Sequence, residues 1–135
     1  MNCLAVLGTA VVSYILGALW YSPLLFGKIW MAGMSFTEEK IEAMKKKGMA
    51  KTYFLSFVGS LAMSLVMACL IAHGGARTSL AGAAVGFWCW LGFIVPALLG
   101  SVLWEGKPPK LFLINIAYYL VTLGIMGAIL ATFTR

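Results

Sequence analysis

Four stretches of the chain, residues 1–27, 52–76, 78–104 and 111–134, contain no Asp, Glu, Lys or Arg, and the charged positions are gathered between them. Each stretch is longer than the roughly 20 residues an α-helix needs to cross bilayer hydrocarbon. Within them the apolar residues run on without the strict alternation of a barrel strand, so helices are the form that leaves no backbone group unpaired in lipid. The pattern predicts an all-α polytopic membrane protein, a single four-helix transmembrane domain over residues 1–135. Its spans are expected at residues 2–21, 52–72, 79–103 and 111–133, with short interfacial helices in the connection 22–51.

Interruptions of the pattern mark the ends of the spans. At Leu19-Trp20-Tyr21-Ser22-Pro23 the first span is predicted to stop, Ser22 supplying an N-cap oxygen and Pro23 the first position of a new short helix that runs through Met31. Trp20, Trp30 and Trp104 are amphipathic aromatics suited to the interface, and Lys28 can snorkel from the same level. Residues 35–48 read as a second short helix: Ser35 and Glu38 make a capping box, acids come early, Lys45 to Lys47 come late, and Gly48 closes it. His73-Gly74-Gly75 ends the second span. Pro96 predicts a kink in the third, with a backbone carbonyl freed near residue 92, and Pro108-Pro109 start the fourth afresh.

Small residues recur at a spacing of four. Thr9, Ser13 and Gly17 line one side of the first span; Thr52, Ser56, Ser60, Ser64, Ala68 and Ala72 that of the second; Gly82 and Gly86 open the third; Gly124, Gly127, Ala128 and Ala131 thin the fourth. In lipid, burial of apolar area no longer drives helices together, and such strips allow the close backbone approach that replaces it. Gly17, Ser56, Ser60, Ser64, Gly82 and Gly86, with Pro96, are therefore read as helix-packing positions. The hydroxyls of the second span have a second reading, as the lining of a polar path.

Composition agrees: 62% of the 135 residues are hydrophobic and 10% are charged, far from a soluble average. The net charge of +6 would by itself invite nucleic acid, but its distribution argues for no nucleic-acid partner. Six of the ten basic residues lie in the first connection and Lys107 and Lys110 in the third, against Arg77 and Arg135. By the positive-inside rule both termini are expected outside a cell (inner) membrane, with loops 22–51 and 104–110 cytoplasmic and facing anionic lipid head groups. The N-terminus lacks the basic start and short core of a signal peptide, so the first span is expected to stay in the mature protein. Cys3, Cys69 and Cys89 lie inside spans without paired spacing and read as small packing residues.

The run Leu19-Trp20-Tyr21-Ser22-Pro23, then Phe26-Gly27-Lys28 and Trp30-Met31, and Asn115 and Tyr118 in the last span resemble the uncharacterised membrane family catalogued as domain of unknown function 1761. The likeness covers nearly the whole chain. It implies a four-helix protein of this length and implies no reaction or catalytic residue.

Topology brings the unusual polar residues to one depth: Tyr21 and Ser22 end the first span, Glu105 ends the third, and Asn115 and Tyr118 begin the fourth. They make a candidate polar pocket at the cytoplasmic boundary, with Glu105 as its fixed negative charge. His73 has no Cys, Asp or Glu beside it, so no metal site is expected, and no motif calls for a cofactor. Three functions are compatible with these residues. The first is a non-enzymatic protein acting by self-assembly, as a homo-oligomer, or as an accessory subunit of a membrane complex. The second is an oligomeric transporter or channel for ions or small molecules, although no carboxylate sits mid-span to couple protons. The third is an enzyme acting on lipid head groups through Glu105 with Tyr118 or Asn115.

Overall fold

A computed structural model describes residues 3–22, 24–34 and 38–133, with the side chains of 38 and 41 left aside, and every regular element among the described residues is helical. In chain order these are α1 (Cys3–Trp20), α2 (Gly27–Gly33), α3 (Glu38–Lys46), α4 (Ala50–Gly74), α5 (Ser79–Cys89), a π-turn (Trp90–Ile94), α6 (Val95–Leu103) and α7 (Pro109–Phe133). The α1, α4, combined α5–α6 and α7 helices are each long and apolar enough to cross a membrane. Large apolar side chains such as Leu4, Leu80, Phe93 and Leu103 stand exposed along them, the arrangement of helices whose solvent is lipid. The chain is a multi-pass integral membrane protein. Gly75, with φ of 70°, caps α4 in the left-handed conformation, and Pro109 occupies the first position of α7.

One boundary departs from expectation. Ser22 does not cap a helix beginning at Pro23; its Oγ donates back to the Leu19 carbonyl at 2.6 Å, and α2 starts only at Gly27. The chain folds tightly between them. The Phe26 N–H reaches the Trp20 carbonyl, the Gly27 N–H reaches that of Ser22, and the Phe26 and Trp20 rings meet at 5.0 Å. A Cβ on Gly27 would overlap the Tyr21 and Ser22 carbonyl groups, so this loop closes only around a residue without a side chain. Ring packing and backbone closure together outweigh the cap. Pro23 itself and the Ser35 half of the capping box lie outside the described residues.

Pro96 is absorbed by a widened turn. The Val95 N–H bonds to the Trp90 carbonyl five residues back, and Pro96 sits at the start of α6. Widening carries the Gly92 carbonyl clear of the proline ring, which would otherwise strike it. The Trp90 indole fastens this turn to α7 by donating to the Ile116 carbonyl at 2.7 Å.

Away from the end of the bundle that carries Lys28, Lys51, Lys107 and Lys110, the four helices pack on one another. Gly82 and Gly86 of α5 lie so close to α7 that a Cβ on either would overlap the Gly127 or Leu123 carbonyl. Beside them Val6, Met67, Ile71, Met126 and Leu130 form the core. Between α1 and α4 the Ser64 hydroxyl donates to the Val6 carbonyl at 2.8 Å and lies 2.9 Å from that of Thr9. A smaller crevice of about 360 Å³ remains in this half, between Met63, Val66 and Leu70 of α4 and Phe93 of the third span.

Candidate functional site

Toward the lysine end the helices part. Residues 51–56 of α4 are all exposed, and between α4 and the facing surfaces of α1, α2 and α7 lies a cleft of about 1200 Å³. Its back wall is one face of α7, where Asn115, Tyr118, Tyr119 and Thr122 recur at helical spacing. Ser13, Tyr14, Gly17 and Ala18 of α1 with Tyr21 just beyond it form one side, Trp30 and Met31 of α2 the rim, and Leu98 of α6 a further contact. Across from them stand Tyr53, Ser56, Gly59, Ser60 and Met63, one face of α4. Its lining runs from Tyr21, Trp30 and Tyr53 near the lysine end to Ser13, Met63 and Thr122 at mid-bundle.

The aromatic side chains are held rather than loose. Tyr118 passes its ring over Gly17, where a Cβ would lie 2.8 Å from the phenol oxygen, and donates its hydroxyl to the Ser13 carbonyl at 2.9 Å. The Tyr21 hydroxyl donates to Asn115 Oδ1 at 2.7 Å, and its ring lies 5.5 Å from that of Tyr118 and 5.7 Å from that of Trp30. Tyr119 stands edge-on to Tyr118 at 5.0 Å. With Oδ1 taken, Asn115 keeps its Nδ2 donors.

Thr122 differs from its neighbours. It is only 2% exposed, and its hydroxyl has no hydrogen-bond partner. The Tyr118 hydroxyl, one turn away, donates to the Ser13 carbonyl and makes no hydrogen bond to Thr122 Oγ1. Elsewhere in the bundle buried hydroxyls turn back to their own helix or across to another, as Thr9, Ser13 and Ser64 do.

Of the five residues placed together by sequence, Tyr21, Asn115 and Tyr118 meet in this cleft. Ser22 turns to Leu19, and Glu105 lies outside the lining, 3.3 Å from Lys107 in a largely exposed ion pair. None of the lining residues carries a formal charge. Trp20 is drawn into the bundle by donating to the Ile114 carbonyl at 3.2 Å, Trp30 joins the rim, and Lys28 and Trp104 are exposed. Gly17, Ser64, Gly82 and Gly86 sit at close helix contacts, whereas Ser56 and Ser60 line the cleft and Pro96 is exposed beside the π-turn.

Sequence reasoning left Tyr14, Tyr53, Tyr119 and Thr122 out of the pocket. The repeat 115, 118, 119, 122 on one helical face was the available signal. His73 Nδ1 pairs with the Cys69 carbonyl of its own helix at 2.8 Å, and the described residues hold no cluster of three metal-ligating side chains.

Residues 4–131 match the family described as protein of unknown function (DUF1761). The chain belongs to this family. The match takes in all four spanning helices and every wall of the cleft, so the arrangement above is that of a DUF1761 protein. Comparison with curated proteins and with solved structures finds no match.

Proposed function

We propose that this DUF1761 protein binds a small molecule in the cleft and transports it, taking it up from the lysine end. The observation that carries this reading is a cleft of about 1200 Å³ whose lining reaches from the lysine end of the bundle to its middle. That volume is at the upper limit of ordinary ligand sites, which run to about 1,000 Å³. A cavity reaching mid-bundle from one end is the geometry a carrier needs in one of its states. The positive-inside rule supports an orientation with the lysine end in the cytoplasm and both termini outside, the lysines resting on anionic head groups.

The test fills the cavity. Ser60→Trp places an indole in the cleft, away from the packed core. Native mass spectrometry of detergent-purified protein is expected to show small-molecule adducts on the wild type that the variant loses. Identical adduct patterns on the two proteins would refute the proposal.

A second reading, self-assembly or service as an accessory subunit, is favoured by Gly8, Gly59, Gly92 and Gly124, at none of which an added Cβ would meet another group within 4 Å. Gly8 and Gly92 in particular lie outside both the cleft lining and the close α5–α7 contact. Cross-linking in mild detergent that yields only monomers, with no co-purifying subunit, would argue against it. The enzyme reading loses its carboxylate, since Glu105 is paired with Lys107 outside the lining.

A further inference from the structure

We infer that the cleft takes an uncharged amphiphile, an apolar molecule bearing a hydroxyl or carbonyl oxygen, and that the Thr122 hydroxyl bonds to that oxygen. This rests on the cleft being a ligand site, as proposed above, and names what it holds. Two independent observations point to it.

The first is charge. The lining comprises aromatic, small and hydroxyl-bearing side chains, one amide, and no Asp, Glu, Lys or Arg. An ion carried to mid-bundle would lose its hydration with no opposite charge to meet, a penalty that excludes both ammonium and carboxylate ligands. The rings of Tyr14, Tyr53, Tyr118 and Trp30 could attract a cation through their faces. Without a carboxylate they would do so against a chain of net charge +6. A neutral molecule meets neither obstacle, and its apolar body would lie against Met63, Leu98 and the ring faces.

The second observation is Thr122. A hydroxyl buried to 2% exposure without a partner is costly, and in a helix a threonine normally escapes that cost by bonding to the carbonyl one turn back. Thr122 does not, and it borders the cleft. A ligand oxygen supplies the missing partner, and because a hydroxyl both donates and accepts, either an alcohol or a carbonyl suffices. About 10 Å away along α7, toward the lysine end, Asn115, whose Oδ1 accepts from Tyr21, offers its Nδ2 as a second polar contact.

The experiment compares three probes of one chain length, oleyl alcohol, oleate and oleylamine, added to the purified full-length protein and followed by native mass spectrometry. Oleyl alcohol is expected to be retained best. Thr122→Val, which keeps the side-chain shape and removes the hydroxyl, is expected to weaken retention about three- to tenfold, the worth of one neutral hydrogen bond. The same variant should unfold at a higher temperature than the wild type when no probe is present, because a buried unpartnered hydroxyl has gone. Thr122→Ser should retain the alcohol. Asn115→Asp, which puts a carboxylate into the lining, should shift preference to oleylamine.

Loss of all three probes from the wild type would overturn the ligand site itself. Retention of oleate or oleylamine as strong as that of the alcohol would leave the site and overturn the assignment of an uncharged ligand. A lower unfolding temperature for Thr122→Val would show its hydroxyl to be a structural group and overturn its role here.

Discussion

The two ends of the bundle are built from the same four helices and differ in the size of the side chains that face inward. At the glycine end α5 meets α7 at Gly82, Gly86 and Gly127, and α1 meets α4 at Thr9 and Ser64. At the lysine end the inward positions of α1, α4 and α7 are Tyr14, Tyr53, Tyr118 and Tyr119. In lipid, helices associate through close packing and interhelical hydrogen bonds. Small residues permit both, and rings hold the backbones apart. The cleft is therefore as much encoded as the close packing.

Substitutions that exchange the character of the two ends give the largest expected effect. Gly127→Leu drives a side chain into the Gly82 carbonyl, and overpacking of this kind costs about 1–3 kcal/mol or more. Gly59→Leu, on the cleft face of α4, meets nothing with its Cβ within 4 Å and should stay within roughly 0.5 kcal/mol of wild type. Thermal unfolding in detergent reads both, and equal losses would abolish the distinction between the ends.

A smaller effect is expected where a ring enters the packed region. Gly17→Ala places a methyl 2.8 Å from the Tyr118 phenol oxygen and should free that hydroxyl from Ser13, which near-ultraviolet circular dichroism of the tyrosines would register. Smaller again is the serine comparison. Ser64→Ala removes a bond between α4 and α1, for which about 0.6 kcal/mol is the usual worth in a membrane bundle. Ser60→Ala, on the cleft wall, should leave the unfolding temperature unchanged. Least of all, Glu105→Gln breaks an ion pair whose side chains are 61% and 40% exposed, and no measurable change in stability is expected.

Much of the architecture was legible in the chain because the bilayer simplifies the problem. Length and absence of charge define a spanning helix without reference to any neighbour, and observed helices such as Ala50–Gly74 and Pro109–Phe133 lie within about two residues of the expected ends at 52, 72, 111 and 133. Tyr21, Asn115 and Tyr118 could be brought to one depth by counting residues from the helix ends. Counting does not say which way a side chain turns about the helix axis, so Ser22 and Glu105, at the same depth, lie outside the cleft.

What the sequence by itself determined was the number of helices, their length, their breaks, and the level of each polar group along the bilayer normal, all properties of one helix in a slab of hydrocarbon. Which small strip found which partner was decided only by the tertiary structure: Gly82 against Gly127, Ser64 against Thr9, and Ser56 and Ser60 against no helix. A strip of small residues states that a close approach is allowed and leaves open with whom. The lone hydroxyl of Thr122 likewise emerges only once every neighbouring donor and acceptor has been assigned.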